Sequence, residues 1–119
     1  MTEPHDIPDA AGLVEAVREF LERDVLTSTT GRVQFHTRVA INVLRMVERE
    51  FALGVEQAAR HQAGLAELGV TSDAELAAAI RSGALDARLD DVRRVVLDSV
   101  RDKLEVANPT YPGYVSRSP

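Results

Sequence analysis

"RVAINVLRMVERE", residues 38 to 50, decides the fold. A helix turns about 100° per residue, so Val39, Ala40, Val43, Leu44, Val47 and the following Phe51 make a wide apolar arc. The period-two alternation of a strand is missing. Beside the apolar arc, Arg38, Asn42, Arg45 and Arg49 fall within about 60° of one another. A chain with a formal net charge of −5 therefore lines up three arginines and an asparagine on one helix.

This helix is expected to run from about Arg32 to Ala52, with Gly54 as its stop, and to be the central element. Upstream, Asp9 has the character of an N-cap. It opens a helix to about Val25 with Leu13, Val14, Val17, Phe20 and Leu21 on one face. "TSTTG" (27–31) is a loop of hydroxyl residues and a glycine. Downstream, a third helix takes about 55–68, with Val55, Ala59, Leu65 and Leu68 inward, and stops at Gly69. In "TSDAEL" (71–76), Ser72 and Glu75 form a capping box, so a fourth helix begins at 73. It ends near Ser82, with Leu76, Ala77 and Ile80 as its buried stripe. A fifth opens at Leu89 or Asp90 and closes near Ala107, because Pro109 and Pro112 cannot continue it. The expected architecture is all-α: a single-domain bundle of about five helices over 9–108, joined by short loops. An extended arm (1–8) precedes it, and a Pro-rich tail (109–119) packs through Tyr111.

Length and composition agree with one domain. The chain has 119 residues, 45% of them apolar but only 4% aromatic, and no cysteine or tryptophan. Without cysteine there is no disulfide, thiolate metal site or Cys nucleophile; a reducing, cytoplasmic setting fits that composition. "MTEPHDIPDAAGL" has neither the basic nor the apolar region of a signal peptide. No run approaches the ~20 apolar residues of a membrane span. The negative charge speaks against a nucleic-acid partner.

Three polar residues stand on apolar lines. Lys103 lies in angle close to Val92 and Val96 of the fifth helix, whose face also includes Val100 and Ala107. Asp24 falls on the line of Leu13, Val17 and Phe20, and His36 on that of Ala40, Val43 and Val47. Lys103 has two readings. Its stem covers apolar surface in the last turn while the ammonium reaches water. Alternatively it lines a cleft, and burial then demands a partner, for which Asp24 is the candidate. The other reading of Asp24 is a solvated residue near a frayed helix end, with Arg32 as its pairing partner.

Catalytic signals are weak. No HxxxH, HExxH, GxSxG, P-loop or GxGxxG spacing occurs, so neither a metal site nor a catalytic constellation is read. The arginine line has two readings as well: a solvated face with low-value ion pairs, or a contact surface. Ile41 on one edge, and Phe35 with Met46 on the other, would give it an apolar border if exposed.

Three segments carry a family resemblance: "AAGLVEAVREFLERDVL" (10–26), "GRVQFHTRVAINVLRMVERE" (31–50) and "VRDKLEVANPTY" (100–111). They resemble a family of small bacterial helical proteins catalogued as a domain of unknown function. That family is encoded beside aminoglycoside-phosphotransferase-like kinases and acyl-CoA dehydrogenases. One branch is the small accessory subunit of a kinase that phosphorylates 4-hydroxyacyl-CoA thioesters. The pattern falls on Gly31, Arg32, Phe35, His36, Arg38, Val39, Asn42 and Leu44, and on Asp102, Lys103, Leu104, Asn108, Pro109 and Tyr111. "TSTTG" departs from it, since a shorter, proline-containing stretch is expected there. The resemblance implies a partner and no active site: a non-catalytic subunit without a cofactor of its own, bound to such a kinase, with the dehydrogenase as a further partner. Arg38, Asn42, Arg45 and Arg49 would form the contact, with Lys103 and Tyr111 contributing. The alternatives are a module binding CoA or a carboxylate, or a self-associating structural bundle. A homodimer is compatible with each.

Overall fold

Every regular element among the described residues is helical, and no strand occurs there. The computed structural model describes residue 4 and residues 6–112, so the expected arm and tail lie partly outside the described residues. The described residues form four α-helices, not five: α1 (Ala10–Phe20), α2 (Gly31–Glu67), α3 (Asp73–Ser82) and α4 (Leu89–Ala107). A π-helical turn (Leu21–Val25) and a 3₁₀ turn (Leu26–Ser28) prolong α1, and a 3₁₀ turn (Asp86–Arg88) precedes α4.

The second and third expected helices are one. Gly54 does not stop α2, which continues through it for 37 residues in all. A terminal glycine takes a left-handed φ, as Gly69 (79°) and Gly83 (83°) do; Gly54 does not. Inside a helix, glycine costs only about 1 kcal/mol relative to alanine. Stopping there would orphan the last carbonyls, with no proline or capping side chain to end the ladder.

The chain divides into two compact units, Met1–Ala52 and Leu53–Pro119, with the division inside α2. The first is a helical hairpin. Asp9 caps α1 by accepting from the Gly12 amide at 3.0 Å. The hydroxyl run closes its far end. Thr27 and Thr29 donate to the carbonyls of Arg23 and Val25, both at 2.7 Å, and Ser28 donates to that of Asp24. Gln34 of α2 donates to the Leu26 and Thr29 carbonyls and ties down the connection. The inward line of α1 and its extension is Val14, Leu21 and Val25; that of α2 is Thr37, Ile41 and Leu44. The α1 face is thus turned by about 60° from the expected one. Leu13, Val17 and Phe20 remain 56, 52 and 54% exposed.

The second unit holds the core. Leu65 and Leu68 of α2, Leu76 of α3, Leu85 of the connecting turn, and Val92 and Val95 of α4 pack together, with Val70 and Ala79 against them. Gly64 lets α4 approach: a Cβ there would lie 3.0 Å from a Val95 methyl. Helix α3 has its expected bounds. Ser72 accepts from the Glu75 amide at 3.1 Å, and Gly83 supplies the left-handed end. The return arm of the capping box differs, because Glu75 bonds the Thr71 amide and hydroxyl. Helix α4 also buries a different face. Val92, Val95, Ser99, Asp102 and Val106, spaced 3-4-3-4, turn inward, while Val96 and Val100 stay exposed. Val55, expected inward, is 86% exposed. Among the described residues, no helix is long and apolar enough to cross a membrane.

Candidate functional site

The arginine line is built on the first half of α2, and the hairpin engages part of it. Arg38 and Asn42 are exposed, and Arg49 is half-buried. Arg45 donates to Glu22 at 3.1 Å. Glu22 also accepts from Arg18 at 2.7 Å, and Arg18 donates from two nitrogens to Glu48. Two arginines and two glutamates therefore cross-link α2 to α1 and its π-helical turn. The Arg18 guanidinium, with Arg45 behind it, holds the Glu22 carboxyl below the usual glutamate range. Glu48 first, then Glu22, raise the Arg18 pKa in turn. Arg45 is thus occupied in holding the hairpin, and Arg38 and Asn42 are the members of the line that reach outward.

The apolar border is one-sided. Ile41, one expected edge, is 5% exposed and belongs to the hairpin interior. Phe35, on the other edge, is 62% exposed and meets His36 edge-on, while Met46 is half-buried. Lys103 and Asp24 are both exposed, and they belong to different units. Lys103 is on the surface because α4 buries the face that carries Asp102. Tyr111 is half exposed.

The second unit contains a polar cluster absent from the sequence reading. Asp102 is 7% exposed. Its two carboxylate oxygens accept from Arg60 at 3.0 and 3.3 Å, and its backbone carbonyl accepts from Gln57 at 3.0 Å. One turn along, the His61 ring lies 2.9 Å from the Ser99 hydroxyl on one side and 2.8 Å from Asp73 on the other. Arg94 bridges Glu67 and Asp91, and Glu67 first raises its pKa. Arg60, His61, Glu67, Arg94, Ser99 and Asp102 line a depression of about 200 Å³ together with Gly64 and Val95.

The chemistry of this cluster is that of a clasp. Ser99, His61 and Asp73 form the line of a nucleophile relay, but Ser99 stands in the interior of α4. Backbone amides there serve the helix ladder, so none is aimed at a developing oxyanion. Arg60 is already met by Asp102, and Arg94 by Glu67 and Asp91, which suits an anionic ligand poorly. What the cluster does is join α2, α3 and α4 at their polar edges. No group of three or more His, Asp or Glu side chains that could hold a metal occurs among the described residues. The 3-4-3-4 spacing that includes Ser99 and Asp102 was a signal in the sequence for this face.

These features define an all-helical protein with exposed apolar side chains on several helices and ion pairs securing the helices within each unit. The chain belongs to the DUF6285 family, a domain of unknown function, whose pattern matches residues 27–111. No curated protein and no solved structure matches it.

Proposed function

We propose that this protein is a non-catalytic accessory subunit. It binds a kinase of the aminoglycoside-phosphotransferase type that acts on a hydroxyacyl-CoA or a related acid. The kinase supplies ATP, Mg²⁺ and the phosphoryl-transfer groups. An acyl-CoA dehydrogenase is the further partner that the family resemblance implies. The observation that carries the reading is the outward face of α2. Arg38 and Asn42 stand exposed beside Phe35, which is 62% exposed, on a helix anchored from behind by Arg18, Glu22, Glu48 and Arg45. An exposed arginine, an amide and an aromatic ring on a braced helix are the residue types that dominate partner contacts.

The test is affinity capture of the tagged native chain from its own cell extract, with mass spectrometry of the proteins retained. Recovery of a phosphotransferase-type kinase is expected. Arg38→Glu combined with Phe35→Ala should abolish that recovery and leave the helical circular-dichroism signal intact. Capture of the kinase at undiminished yield by this double variant would remove the α2 face from the contact. Capture of no kinase by the native chain would remove the accessory-subunit reading.

A further inference from the structure

One side of the hairpin is apolar and uncovered. Leu13, Val17 and Phe20 lie on one line of α1, each just over half exposed. On α2, Val43 and Phe51 are both 50% exposed, and half-buried Val47 lies between them in angle. The two helices are antiparallel, since Arg18 meets Glu48 while Glu22 meets Arg45. In each helix the exposed apolar line lies about 100° from the inward line in the same rotational sense. For antiparallel helices this puts both lines on the same side of the pair. The arginine line of α2 is about 170° round from it.

The two polar residues that interrupt these apolar lines are Asp24 and His36. Both are exposed, both stand at the loop end of the hairpin, and Asp24 makes no ion pair among the described residues. One line therefore carries an acid and the other a base, at the same end. That pattern is self-complementary under a two-fold axis parallel to the helices, which lays the α1 line of one hairpin over the α2 line of another.

We propose that this face is the contact between two copies of the chain. The two hairpins close into a four-helix bundle, α1 of each copy on α2 of the other, with Asp24 against the partner subunit's His36 and Arg32 one turn away. Two helices alone cannot enclose a core, and four are the common closed solution. The exposed apolar side chains amount to roughly 500 Å² per copy, so a pair buries on the order of 1,000 Å², the lower bound for a specific interface. The arginine line remains outside the bundle, so this contact and the proposed kinase contact use different sides of α2.

Sedimentation equilibrium of the full native chain tests the proposal. A dimer is expected at tens of micromolar. Val17→Glu with Val43→Glu should give a monomer of unchanged helicity, because both side chains already meet solvent in the hairpin. Asp24→Lys and His36→Asp should each weaken the dimer about tenfold, and the double swap should restore it. A native chain that stays monomeric at several hundred micromolar overturns the proposal, as does a dimer unaffected by the two glutamates. Failure of the double swap to recover either loss overturns the Asp24–His36 register.

Discussion

At the residue scale, Asp102 and Lys103 show how one position decides a side chain's role. Adjacent residues of a helix are 100° apart, so burying one puts its neighbour at the edge or outside. Asp102 is the inward residue, and it is tolerated there because Arg60 meets both of its oxygens and so compensates its desolvation. Its removal leaves a half-exposed arginine and an unfilled edge of the core. Asp102→Ala is expected to destabilise the protein by about 2 kcal/mol, the value of hydrogen bonds to charged groups. Lys103→Ala should change stability by under about 0.5 kcal/mol. Urea unfolding followed by circular dichroism distinguishes the two. Equal effects would mean that α4 is not seated on the Asp102 face. Locally, the sequence marks Asp102 as polar and the nearby valines as apolar, and so points to Lys103 as the anomaly. The partner that reverses this, Arg60, lies 42 residues away, beyond the reach of any spacing within one helix.

At the element scale, the long α2 departs furthest from local expectation, and the strongest local signals hold best. The Ser72 cap and the left-handed Gly83 bound α3 as the capping pattern requires, because each satisfies orphan groups at a helix end. Gly54 carries only the weak half of such a signal. It has no proline after it, and its backbone stays helical. Gly54→Ala is therefore expected to stabilise the protein by about 0.5–1 kcal/mol. A glycine in a left-handed terminal position would give a loss of similar size. The sign of the shift in the denaturant midpoint is the readout.

At the scale of the whole molecule, the two units differ in how they are held. The second has a contiguous aliphatic core, with Leu65 only 1% exposed, and a clasp of ion pairs at its edge. In the first, Thr37 and Ile41 are the buried positions among the described residues, and side-chain charges bridge the helices. Local opening should follow that difference. Hydrogen exchange of the dilute chain is expected to label α1 amides well before those of residues 65–68 and 92–102. Raising the protein concentration should slow exchange in α1 and at 36–51 if two copies close over the hairpin, because association protects the face it covers. Equal protection of α1 and the 65–68 segment in dilute solution would contradict the ranking.

By itself the sequence determined the helical class, the α3 caps, the hydroxyl-rich end of the first helix and the start and end of α4. Each of these rests on 3.6-residue periodicity or on a capping group within a few residues, so local physics suffices. It also marked Asp24 and His36 as residues out of place on apolar lines. Tertiary structure decided which part of each broad apolar arc turns inward, because an arc wider than the contact leaves the choice to the neighbouring helix. It moved the α1 face by about 60°, brought Asp102 to Arg60 and joined His61 to Ser99 and Asp73. Those pairings link residues 12 to 42 positions apart. Their energies come from charge compensation and close packing, which arise only once the helices meet.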